Sequence, residues 1–247
     1  HGTTITLLNA ARRFQSGLNN LQGQLFITSG LGGMSGAQSL AAVITGACCI
    51  LAEVDPDAIQ QRVADGYIDA NNIYTSLTAI FEAAKKHSNS EKGIALVYAG
   101  NIVNLWEYAA NNNIQVHLGS DQTSLHNIDD LGYCPVGYSF AEAKELLTHD
   151  KETFMKEVQS SLRRQVDAIN ILSQRGMYFW DYGNAFLKEA GNAGASVWKD
   201  SEHLHYKYPS YVEDIMGPLC FDYGFGPFRW VCCSGLISDL EKTDKIA

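Results

Sequence analysis

Three short strand-type runs without regular polar alternation, each followed by a stretch of helical periodicity, constrain this 247-residue chain more than any other feature. The runs lie at 24–29, 48–53 and 94–98. A strand with one wet face alternates apolar and polar residues. A run without alternation belongs to a strand covered on both faces, the signature of a parallel sheet. Helical patterns fill the intervals at 35–47, 57–64, 71–87 and about 101–111. Pro56 stands near the first turn of the second of these, and Lys85-Lys86-His87 places cations at the C-terminus of the third. A weaker fourth strand is expected at 116–119. Alternation of this kind predicts an α/β fold with a doubly wound, mostly parallel sheet.

From 139 onward the character changes. Helices are expected at 140–147 and 151–175, with a strand-like run at 177–180. Past 191 the chain is rich in Gly, Pro and Tyr with weak periodicity, so irregular structure is expected there. The organisation read from this is one domain over 1–247, with a core at about 22–138 and a helical, loop-rich extension at 139–247.

The 27 acidic residues outnumber 18 basic ones, for a net charge of −9, and no basic run occurs. That balance argues against nucleic acid or an anionic membrane surface as the partner. The longest apolar stretches, such as 40–51, are too short to span a bilayer. The chain opens His1-Gly2-Thr3, with neither Met nor a signal-peptide pattern, and reads as a segment processed or excised from a longer protein. The six cysteines, at 48, 49, 134, 220, 232 and 233, form no C-x-x-C pair and read as packed thiols of a reducing compartment. His203-x-His205 lacks further ligands nearby, so no metal site is expected.

The chemistry-bearing segment is Gly30-Leu31-Gly32-Gly33-Met34-Ser35-Gly36-Ala37-Gln38, where the first strand hands over to the first helix of the alternation. It satisfies G-x-G-x-x-small from Gly30 through Gly32 to Ser35. Gly30 permits a tight turn, and Gly32 or Gly33 lets the backbone approach a pyrophosphate. Small residues at 35–37 allow close packing, and the helix N-terminus offers N–H groups to phosphate. Glu53 ends the second strand about twenty residues on, where a dinucleotide site places its ribose-binding carboxylate. A carboxylate there repels a 2′-phosphate, so NAD is favoured over NADP. A purely structural turn is the competing reading. Polar clusters at Gly100-Asn101 and at 119–127 follow the third and fourth strands, where such sheets bind ligands. Local Asx- and Ser-type turns explain the same residues equally simply.

Four motifs in order carry a family resemblance: the 30–38 segment, Ser120-Asp121-Gln122-Thr123-Ser124-Leu125-His126, Trp180-Asp181-Tyr182-Gly183-Asn184, and Gly226-Pro227-Phe228-Arg229-Trp230. Together they resemble the urocanases over about 22–240. The resemblance implies a Rossmann-like domain holding NAD⁺ tightly as an electrophile. It implies hydration of urocanate to 4-imidazolone-5-propionate in histidine degradation, a lyase reaction with no net hydride transfer. It also implies a cytoplasmic homodimer in the full-length enzyme. Carried over residue by residue, it places cofactor contacts at Gly33, Met34 and Ser35 and at Glu53. Further contacts fall at Asn101, Ile102, Gln122, Thr123, Ser124, Leu125, His126, Tyr133, Cys134 and Tyr182, and Arg229 matches an arginine that pairs with the substrate carboxylate. Some family members carry a cofactor-binding arginine where this chain has Ala58, and Arg62 substitutes for it only partly. The family's reactive cysteine and water-activating acid lie in parts of longer chains not matched here, so no catalytic residue is assigned and Cys232 and Cys233 are not given that role. A freestanding NAD-binding module without catalysis is the alternative. A conventional dehydrogenase lacks support, because no His or Lys–Tyr arrangement is placed to serve hydride transfer.

Overall fold

The computed structural model describes residues 2–87, 90, 92–183, 185–226 and 232–246. Six strands form one sheet: β1 (Leu25–Ser29), β2 (Cys48–Glu53), β3 (Ile73–Tyr74), β4 (Ile94–Ala99), β5 (Leu118–Asp121) and β6 (Tyr178–Asp181). Their spatial order is β3-β4-β2-β1-β5-β6, and every pairing is parallel. Helices cover both faces, as strand runs without polar alternation require. The helices before β5 are α1 (Gly2–Phe14), α2 (Ala37–Thr45), α3 (Pro56–Ala64), α4 (Leu77–His87) and α5 (Ile102–Asn111). Those after it are α6 (Phe140–His149), α7 (Lys151–Gln174) and α8 (Phe186–Asn192). A π-helical turn at Tyr211–Met216 runs into the short α9 (Gly217–Leu219), and α10 spans Ile237–Ile246.

Two separate cores result. Alternate residues of each strand point to opposite faces, so Phe26, Cys49, Leu51 and Trp180 pack against α1, α2 and α3. Ile27, Ile50, Leu96 and Phe179 pack against α4, α5 and α7. Phe26 stacks on Trp180 at 5.4 Å in the first core, and Trp106 meets Phe179 edge-on at 6.2 Å in the second. Adjacent Cys48 and Cys49 therefore enter different cores, both buried, which is the packing their apolar context predicts.

Local chemistry fixes the helix starts. Asp55 accepts from Asp57 N–H at 2.9 Å with Pro56 in the first turn of α3. Asn101 accepts from Val103 N–H at 2.9 Å to start α5, and Ser139 with Glu142 forms a complete capping box on α6. Three expectations need correction. The helix expected at 71–87 begins only at Leu77, because Ile73 and Tyr74 pair with Val97 and Tyr98 as the edge strand β3. The fourth strand sits two residues later than expected, at Leu118–Asp121, because Ser120 and Asp121 are held in register with Trp180 and Asp181. The region past 191 is not wholly irregular, since it holds the π turn and α10.

Candidate functional site

The strand order reverses between β1 and β5: β2 and β4 lie to one side of β1, β5 and β6 to the other. Open α/β sheets bind ligands at such a switch point, outside the carboxyl ends of the strands. A cleft of about 320 Å³ opens there, lined from the ends of β1, β2, β4 and β5 and from the loop before α6.

One wall is the glycine turn. Gly30 has φ +90°, a left-handed conformation that glycine adopts without strain, and a Cβ on it would lie 2.8 Å from Ser35 Oγ. Glu53 reaches across from β2 to hold this turn. Its Oε2 accepts from Leu31 N–H at 2.7 Å, and its Oε1 accepts from Val54 and Asp55 N–H at 2.8 and 2.9 Å. Burial raises the Glu53 carboxyl above its ordinary pKa, and the three backbone N–H groups oppose that rise. The acid thus both orders the turn and faces the cleft.

Beneath the turn runs a buried polar layer that ties three elements together. Thr28 Oγ1 donates to Gln38 Oε1 on α2 at 2.7 Å and lies 2.8 Å from Ser120 Oγ on β5. Gln38 Nε2 donates to Ser29 O at 3.1 Å. Asp121, with no exposed surface, is the hub. It accepts from Ser29 Oγ at 2.9 Å, Gln165 Nε2 at 2.8 Å and Thr123 N–H at 2.9 Å, and also from Thr123 Oγ1. Gln165 Oε1 accepts in turn from the Tyr133 hydroxyl at 2.9 Å. Burial raises both the Asp121 carboxyl and the Tyr133 hydroxyl; for Asp121 its hydrogen bonds act in the opposite sense.

The far wall is the loop after β5. Gly132 has no room for a side chain, since a Cβ there would lie 2.1 Å from Ser124 O. Ser124 N–H donates to Gly132 O at 2.8 Å, closing the loop on itself. Asn101 Nδ2 donates to Cys134 O at 2.8 Å and pins this wall to the start of α5. The Cys134 thiol is pushed up to about 12, first by burial and then by Glu53 and Glu142, so it is no nucleophile.

Of the residues singled out from the sequence, Ser35, Glu53, Asn101, Ile102, Gln122, Thr123, Ser124, Tyr133 and Cys134 come together as lining. Gly33, Met34, Leu125, His126 and Tyr182 are not among the lining residues. Met34 is 90% exposed at the tip of the turn, and His126 is exposed in the loop after β5. Leu125 is buried in the core, and Tyr182 is buried on the α1–α2 face against Trp180 and Tyr211. Arg229 and Asn184 lie outside the described residues. Ala58 does line the cleft, while Arg62 instead pairs with Asp65 at 3.1 Å and lies over the Tyr67 ring. Its side chain crosses the first turn of α2, where a Cβ on Gly36 would lie 2.7 Å from Arg62 Cδ.

Sequence reasoning missed the hub role of Asp121 and missed Gln165 altogether. A usable signal existed: Ser161 and Gln165 fall on the buried stripe of α7 with Val158, Leu162, Val166 and Ile169. Polar residues in such a stripe need partners. Among the described residues no group of three or more His, Cys, Asp or Glu is placed to hold a metal ion, and no helix is long and apolar enough to cross a membrane.

Comparison with known proteins agrees with this fold. The model of the urocanase Rossmann-like domain matches residues 1–215, and that of the urocanase C-terminal domain matches 218–247. A probable urocanate hydratase of Dictyostelium discoideum is 51% identical over 249 residues, covering 100% of this chain and 36% of that protein. A probable urocanate hydratase of Caenorhabditis elegans and the urocanate hydratase of Homo sapiens are each 47% identical, over 100% of this chain and 37% of their own length. The chain thus spans a little over a third of these relatives. With one family's models matched across its length and a Rossmann-like sheet to carry them, the chain belongs to the urocanase family.

Proposed function

We propose that this chain is the dinucleotide-binding part of a urocanate hydratase and that its switch-point cleft holds NAD⁺. The observation that carries the reading is the pairing of Glu53 with the glycine turn: an acid at the end of β2 and a Cβ-free turn at the end of β1, joined through Leu31 N–H. The residues present fit the group. The turn from Gly30 to Ser35 would face the pyrophosphate with backbone N–H groups, and Glu53 would accept from the adenosine ribose hydroxyls. Gln122, Thr123 and Ser124 would meet the other half of the cofactor, with Asn101, Ile102, Tyr133 and Cys134 closing the wall between. Gly33, Met34 and His126 would serve at the margins of the bound cofactor, Leu125 and Tyr182 would support the site from the cores in which their side chains are buried, and Arg229 would pair with the urocanate carboxylate.

When bound, NAD⁺ supplies an electron-poor ring that activates urocanate toward addition of water. This chain's own share is to bind and orient the cofactor. Its buried layer of Thr28, Gln38, Ser120 and Asp121 keeps the floor rigid and dry, since every oxygen it presents is already hydrogen-bonded. The reading includes a single unit over 1–247, with the sheet-bearing core and the extension acting together, and a cytoplasmic homodimer for the whole enzyme. Calorimetric titration of the purified chain with NAD⁺ tests it. One saturable site is expected, and no heat at millimolar ligand overturns the reading.

A further inference from the structure

We infer that Asp181 sets the oxidation-state preference of this site: its carboxylate makes the chain bind the dinucleotide with a cationic, oxidised nicotinamide in preference to the one with a neutral, reduced ring. The inference rests on the dinucleotide reading above. Glu53 marks the end of β2 as the adenosine side, and a dinucleotide lies across the switch point, so the second half falls over the ends of β5 and β6.

Those ends carry two carboxylates. Asp121 and Asp181 are register partners on adjacent parallel strands, so they share the face of the sheet that α7 covers. Asp121 is fully occupied by Ser29, Thr123 and Gln165. Asp181 is not. Only 9% of it is exposed, and its buried Oδ1 has no hydrogen-bond partner among the described residues. The groups that bear on it are Asp121 from β5, the Tyr206 hydroxyl from the loop after α8, and the backbone N–H groups of Tyr182 and Gly183. Gln165, facing the pair from α7, is neutral, and Arg164 beside it is committed to Glu107 at 2.7 and 2.8 Å. Among the described residues, none of the groups acting on Asp181 is a cation.

A buried carboxylate with an unfilled oxygen and a negative neighbour is relieved by positive charge. Burial first and Asp121 second push Asp181 up to about 6, so near that pH it holds a proton part of the time. A cationic ring nearby favours the ionised form and expels that proton, whereas a neutral ring does not. Across about 10 Å at an effective dielectric near 20, one charge changes affinity by roughly an order of magnitude.

The test titrates the 247-residue chain with NAD⁺ and with NADH at pH 6, in two buffers of different ionisation enthalpy. Expected is an NAD⁺ preference of about tenfold, with proton release on binding NAD⁺ and none on binding NADH. Asp181→Asn, with its fold checked by circular dichroism, is expected to bring the two affinities close to parity and abolish the release. The buffer comparison on the unaltered chain does not depend on that variant folding. Equal affinities without proton release overturn the inference alone, as does a preference that survives Asp181→Asn. Failure to bind either cofactor overturns the dinucleotide reading with it.

Discussion

Replacing Asp181 by Asn is expected to stabilise the chain at alkaline pH, which is the reverse of the usual result for a buried polar residue. The carboxyl stands at about 6 in the folded state against an ordinary value of 3.8, raised by burial and by Asp121. A group that holds its proton more tightly when folded contributes most below its unfolded pKa, and that contribution is lost as pH rises through the folded one. About two pKa units correspond to roughly 3 kcal/mol. Between about pH 4 and pH 7, ionising Asp181 therefore removes up to about 3 kcal/mol from the native chain. An amide has the same shape and no charge to lose. Urea unfolding of both proteins at pH 4.5 and pH 8 is the assay. The variant should match the parent within about 1 kcal/mol at pH 4.5 and exceed it by about 2–3 kcal/mol at pH 8. A variant destabilised by the same margin at both pH values refutes the reasoning, because the carboxylate would then be a satisfied hydrogen-bond acceptor and not a strained charge.

Other expectations follow from the same geometry. Glu53→Ala should weaken NAD⁺ binding by about 1.5–3 kcal/mol in calorimetry, the loss of a charge-assisted hydrogen bond, whereas unchanged affinity would move the ribose elsewhere. Gln165→Leu leaves both Asp121 and the Tyr133 hydroxyl short of a partner and should cost about 2–3 kcal/mol in chemical unfolding; a neutral result would mean water replaces the amide. Gly132→Ala drives a Cβ against Ser124 O and should cost about 1–3 kcal/mol by thermal unfolding while lowering cofactor affinity with it. Ser139→Ala removes the capping box of α6 and should cost about 1 kcal/mol in thermal unfolding.

What could be read ahead of the structure follows from the range of the interactions. β1, β2 and β4 were legible because burial on both faces erases polar alternation, and α5 because its cap and apolar stripe are local. β3 was not, because two residues, Ile73 and Tyr74, are strand only by pairing with Val97 and Tyr98, more than twenty positions away. The Gly30 turn and Glu53 were legible as a pair because their spacing is set by one βαβ unit. The contact of Glu53 with Leu31 N–H, which makes the acid a support for the turn, is a matter of three dimensions. The Asp121 hub was hidden for the same reason: Ser29 and Gln165 reach it from 92 and 44 positions away. Tyr182 shows the converse. Its motif is local and conspicuous, yet strand alternation turns the side chain toward α1 and α2, away from the face that Asp121 and Asp181 share.

Amide chemical-shift mapping during an NAD⁺ titration tests most directly whether NAD⁺ sits at the switch point. The largest shifts are predicted at Leu31, Val54, Thr123 and Gly132, the amides that frame the cleft. Shifts centred instead on Tyr108, Asn112 and His117, which line a second cavity of about 560 Å³ beside the starts of β1 and β2, at the opposite end of the strands, would contradict it.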